Sequence, residues 1–222
     1  MLPSLDIAGV TIYEPTTTIT DYLITVFAIV FGSRLLKGAF DGRHHARWLW
    51  SLGFLFIGLG AFLGGTSHGF VEYLGDDGLR LIWKGTVYCV GFSMIFAVAG
   101  TIEGSVDNVT IRNTLHGANA LAFAIYAAWM VSHSAFIYVI YYYVPAMTSV
   151  ALIQVWAYWR DRRLSAPWIV AGVIVTLLGA VIQQSGFALH RHFNHNDLYH
   201  IVQIVGLWLL YRGVERFEAS RD

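Results

Sequence analysis

His68 and Glu72 stand four residues apart, Asn196 and His200 likewise, and Asp197 precedes His200 by three. On a helix those spacings place each pair on one face. Imidazole beside carboxylate suits zinc, which takes three protein ligands in catalytic sites and keeps one position open for water. Water held there ionises near pH 7, by the usual order of magnitude, and becomes a nucleophile in neutral solution. The chemistry expected of these residues is therefore metal-assisted hydrolysis. His68, His200 and His195 are the candidate zinc ligands. Asp197 could be a ligand, the general base or the cap of its helix, and Glu72 is a second candidate for moving the proton. Lys84 could hold a headgroup or snorkel from a helix end. Ser67 and Asn196 are the remaining polar groups for a substrate.

The elements that must carry these residues lie in a membrane. Of 222 residues, 56% are hydrophobic and 13% charged, against about 25% charged in soluble domains, and the mean hydropathy is +0.57. Lys plus Arg equal Asp plus Glu at 14 each, so nucleic acid is not expected as a partner. The lone Cys89 excludes an intramolecular disulfide framework and a cysteine-based zinc cluster. A spanning helix takes about 20 apolar residues, and such stretches run over 20–38, 47–71, 79–102, 113–132, 134–158, 166–189 and 197–214. The fold expected is an all-α, integral membrane seven-helix bundle occupying 20–217, with a leader over 1–19 and a short tail over 218–222. The polar break at Ser132, His133 and Ser134 divides the fourth helix from the fifth. Gly58, Gly60, Gly64, Gly65 and Gly69 make the second helix one that neighbours can approach closely.

Basic residues are retained on the cytoplasmic side. With the N-terminus out and the C-terminus in, Arg34, Lys37, Arg43, Arg47, Arg112, Arg160, Arg162, Arg163, Arg212, Arg216 and Arg221 fall inside, and only Arg80, Lys84 and Arg191 fall outside. This orientation gathers His68, His133, His190, His192, His195 and His200 toward the outer face. His68 and His200 stand out among them because each lies about a turn inside its span, where an ionisable side chain usually faces the bundle interior or a wet cavity.

The run Asn196-Asp197-Leu198-Tyr199-His200, with His68 at the end of the second helix, resembles the superfamily of seven-helix membrane hydrolases that includes alkaline ceramidases and the progestin and adipoQ receptors. There a helix-two Ser-x-x-x-His and a helix-seven His-x-x-x-His supply three zinc-binding histidines, and the zinc-bound water attacks a lipid amide. By position His68 matches the helix-two ligand and His200 the second helix-seven ligand, while Gly64 stands at the serine and Asn196 at the first helix-seven histidine. The resemblance implies a zinc-dependent hydrolase of a lipid amide or ester at the outer leaflet, in a plasma, inner or endomembrane. The alternative is a non-enzymatic binder of a ligand or metal, a sensor or a transporter. A retinal protein is excluded, since its Schiff base needs a lysine in the last helix and none follows Lys84.

Overall fold

The computed structural model describes residues 3–42, 44–190 and 193–217, so Arg43, Arg191, His192 and Arg221 lie outside the described residues. The chain opens with a hairpin, β1 Ser4–Ile7 against β2 Val10–Tyr13, in antiparallel register with Ile7 opposite Val10. Ala8 and Gly9 join the strands with φ of 53° and 82°, the two positive values that a two-residue type I′ turn requires. Among the described residues seven helices follow: α1 Pro15–Gly42, α2 His45–Gly69, α3 Val71–Ser105, α4 Val109–Ser132, α5 Phe136–Asp161, α6 Ala166–Ser185 and α7 His195–Val214. The first six are long and apolar enough to cross a membrane. The protein is thus an all-α multi-pass bundle.

Sequence punctuation accounts for most helix ends. Pro15 begins α1, where its missing N–H would have had no partner anyway. Gly75, at φ 61°, interrupts α3 after its first turn. The αL residues Arg162 and Gly186 end α5 and α6. The break at 132–134 is real, with α4 ending at Ser132 and α5 starting at Phe136. The first helix starts at Pro15 rather than at 20, because Thr17, Thr18 and Thr20 are all buried against neighbouring helices.

Packing follows the small residues. The helices form a closed ring in the order α1, α2, α3, α5, α6, α7 and back to α1, with α4 outside against α3. α4 accordingly buries only Tyr126 and Met130 of its span. Two glycines show why the backbones come so close. A Cβ on Gly65 would lie 2.8 Å from Asp21 Cβ and 3.2 Å from the Thr18 carbonyl, and one on Gly213 would lie 3.0 Å from the Ile169 nitrogen. These contacts seat α1 on α2 and α7 on α6. Aromatic stacking continues the α1–α7 seam through Phe31 and Tyr211, whose ring centres are 4.7 Å apart.

Candidate functional site

At the hairpin end of the ring, polar side chains from α1, α2 and α7 meet inside an apolar wall. α7 begins with a capping box in which the Asn194 side chain accepts from the Asn196 N–H at 2.7 Å and Asp197 Oδ2 accepts from the Asn194 N–H at 2.6 Å. Asp197 Oδ1 accepts from the Thr17 hydroxyl at 2.8 Å. Asp197 is only 1% exposed, and both its oxygens are engaged in joining the start of α7 to α1.

One turn further along, His200 is held at both ring nitrogens. Thr20 Oγ1 lies 2.8 Å from Nδ1, and Asp21 Oδ1 lies 3.3 Å from Nε2. Asp21 and His200 are 6% and 7% exposed. An unpaired carboxylate at this depth would be costly, so the pair and the threonine form one unit. Gly64 of α2 lies beside it, where a Cβ would make an ordinary contact of 3.6 Å with Asp21 Oδ2.

His68 reaches the same space from α2 and is held from above. Its Nδ1 lies 2.8 Å from Glu14 Oε2, and its ring meets Trp83 edge-on. Glu14 adopts a φ of 40°, a strained value for a residue with a Cβ. The surrounding contacts fix it: the Glu14 N–H donates to the Pro3 carbonyl at 2.8 Å, and Glu14 precedes the rigid Pro15. Two further bonds dock the hairpin, from the Tyr13 hydroxyl to Glu72 Oε2 at 3.1 Å and from the Thr11 N–H to the Tyr73 hydroxyl at 2.8 Å. The hydrogen bond from His68 holds the Glu14 carboxyl below its ordinary range, against the opposing effect of burial. A depressed carboxyl contributes stability that is present above its unfolded pKa, about 4.3, and is lost as pH falls through the folded value. The protection factor of the Thr11 amide should therefore fall as the protein is acidified below about pH 4, and Glu14→Gln should flatten that profile. An unchanged profile in Glu14→Gln would separate hairpin docking from this pair.

Below these groups runs a cavity of about 210 Å³ lined by helices of the ring. On α2 it touches Trp50, Phe54, Ile57, Ala61, Gly64 and His68, a single helical stripe. The eighteen residue steps from Trp50 to His68 rise about 27 Å at 1.5 Å each. The opposite wall is Val139, Tyr143 and Met147 of α5 with Gln203, Leu207 and Leu210 of α7. Polar groups crowd the hairpin end: Asp21, His68 and His200, with Gln183, Asn196 and Tyr199 beside them.

The residues proposed from sequence thus divide. His68, His200 and Asn196 line one cavity, and Asn196 Oδ1 lies 3.5 Å from Gln183 Nε2. His195 is the first residue of α7, within electrostatic reach of Glu14. The other four are held elsewhere, Asp197 by the capping box and Thr17. Glu72 is exposed and bound to Tyr13. The Ser67 hydroxyl donates to the Gly64 carbonyl of its own helix at 2.8 Å. Lys84 is held away from the cavity: its ammonium donates to the Met130, Val131 and His133 carbonyls and so caps α4. His133 stacks on Trp129, and His116 pairs with Glu103 at 2.8 Å. Among the described residues no group of three or more His, Cys, Asp or Glu is arranged to hold a metal ion.

Asp21, Thr17, Thr20 and Glu14 are the functional candidates that the sequence argument missed. Asp21 is an acid within an apolar helix, which is itself a signal. With the span drawn from residue 20 it falls at the very end of the expected helix. The start at Pro15 puts it nearly two turns inside. α1 then lies between α2 and α7, supplying the carboxylate between the two histidines.

Residues 16–219 match the model of a family of unknown function, DUF6962, and the chain belongs to that family. No curated protein and no solved structure matches it.

Proposed function

We propose that this chain is a membrane-embedded receptor or carrier for a single-chain amphiphile, which lies along the central cavity with its polar head against Asp21 and His200. The observation that carries this reading is the small volume of a space whose α2 wall runs about 27 Å, together with the polar groups gathered at its hairpin end. A water-sized group needs about 10–15 Å³, so 210 Å³ accommodates on the order of fifteen to twenty such groups in single file along α2. Ligand sites are commonly apolar with a few placed polar groups. Here a head hydroxyl would donate to Asp21, and a head amide or hydroxyl would meet the amides of Gln183 and Asn196. In this reading all seven helices span the membrane and the hairpin end is the outer one, following the bias of basic residues toward the other end. A reporter fused after Asp222 should then be cytoplasmic.

Native mass spectrometry of protein released from mild detergent tests the reading. A 1:1 adduct of a single-chain compound, or its formation on adding hexadecan-1-ol, is expected. Protein that remains free of adduct at saturating alcohol would overturn it.

A second reading keeps hydrolysis. The 3.3 Å between His200 Nε2 and Asp21 Oδ1 is what two ligands on one tetrahedral zinc ion would show, given bonds of about 2.0–2.2 Å. Thr20 at Nδ1 would orient the ring, as outer partners of metal-bound histidines do. His68 is then the third ligand, as the resemblance to ceramidases implies, and has to move toward the pair. Zinc would polarise the carbonyl of a lipid amide or ester and supply the attacking hydroxide. Elemental analysis decides: one zinc per chain, lost on chelation and absent from His200→Ala, supports hydrolysis, and zinc-free protein that still binds the alcohol discards it.

A further inference from the structure

At the hairpin end of the cavity one carboxylate oxygen is left over for a ligand. Asp21 is 6% exposed, and only its Oδ1 is engaged, by His200 Nε2 at 3.3 Å. Oδ2 hydrogen-bonds to no described residue, and it is not among the polar atoms sealed from all accessible space. What it faces is set by α2 and α3. The point where a Cβ on Gly64 would stand lies 3.6 Å from Oδ2 and 3.6 Å from Thr86 Cγ2, and Asp21, Gly64 and Thr86 all line the cavity. Oδ2 therefore opens onto the cavity. An ionised carboxylate offers about four acceptor sites, and buried acceptors in native proteins are almost always met.

The groups around it favour one sign of charge. Glu14, Asp21 and Asp197 bring three carboxylates to this end, against the imidazoles of His68 and His200, with His195 within electrostatic reach of Glu14. Free imidazole is largely uncharged at neutral pH, and no Lys or Arg among the described residues pairs with any of the three acids. Lys84 caps α4 instead. We infer that the head this site takes is a primary ammonium, bound through Asp21 Oδ2, so that the amphiphile is a long-chain amine. This inference rests on the reading of the cavity as an amphiphile site, and narrows it from any polar head to a cationic one that donates hydrogen bonds. An ammonium has three N–H donors. One meets Asp21 Oδ2, and the others have the side-chain oxygens of Gln183 and Asn196 at the same end. A head carboxylate or phosphate would meet Oδ2 with like charge. A hydroxyl makes the same bond without its own charge, and so more weakly.

Binding of hexadecan-1-amine, hexadecan-1-ol and hexadecanoate to the purified full chain at neutral pH tests the inference. The amine is charged there, its pKa being close to the lysine value of about 10.4. It should bind about tenfold more tightly than the alcohol, the difference between a charge-assisted and a neutral hydrogen bond, and hexadecanoate should bind more weakly than either. In Asp21→Asn, which keeps the size of the side chain and one acceptor oxygen but removes the charge, the amine should lose its advantage over the alcohol. The melting temperature shows whether that variant is folded, and if it is not, the order of the three compounds in the wild type decides. An amine no tighter than the alcohol, or hexadecanoate bound as tightly as the amine, would overturn the inference and leave the amphiphile site standing without charge selection. An advantage for the amine that survives in folded Asp21→Asn would overturn it too. Failure of the wild type to bind any of the three would overturn both readings.

Discussion

Asp21→Ala and His200→Ala are each expected to lower the stability of the detergent-solubilised protein by about 3–5 kcal/mol, the cost of leaving one member of a buried pair without the other. Each substitution strands a group almost sealed from solvent: Asp21 loses the imidazole nitrogen at 3.3 Å, or His200 loses the carboxylate and keeps only Thr20. The double variant should cost clearly less than the sum of the singles, because nothing is then left unpaired. Unfolding in a denaturant series measures all three. Additive losses would mean that the two groups act independently, and would remove the polar head from the site.

Ala61→Phe is expected to abolish binding of hexadecan-1-ol, with affinity reduced at least 100-fold. Ala61 lies in the α2 stripe between Ile57 and Gly64 and faces the cavity. A phenyl group adds six heavy atoms, about 60–90 Å³ of the available space by the room each water-sized group needs. A chain in single file cannot pass such a block. Stability should hold or rise, since filling an apolar void restores packing contacts. Isothermal titration together with the melting temperature separates the two effects. Undiminished binding by a folded Ala61→Phe protein would place the ligand outside the ring.

The bundle was legible because each spanning segment announces itself by length and hydropathy, and because the 132–134 break is a local signal, whereas the αL Gly186 that ends α6 is passed over by a span drawn to 189. Helix packing was partly legible too: the glycines of α2 gave its close neighbours on both sides. The position of α1 was not. Its threonines 16 to 18 look like a polar leader until the partner of Thr17, Asp197, is known to lie 180 residues away in the chain. Asp197 shows the same limit at a single residue. Its spacing from His200 allowed a ligand, a base or a cap, and only the Asn194 and Thr17 contacts show what its oxygens do. Lys84 had no local signal for its role, because the carbonyls it caps belong to α4.

The most direct test of the central claim is photolabelling with a hexadecan-1-ol that carries a diazirine at mid-chain, followed by mapping of the labelled peptides. The account predicts label on the cavity-lining residues Ile57, Ala61, Val139, Met147 and Leu207, competed by unlabelled alcohol and lost in Ala61→Phe. Label confined to exposed positions of α4 such as Leu121, Ile125 and Val131, and indifferent to competitor, would contradict it.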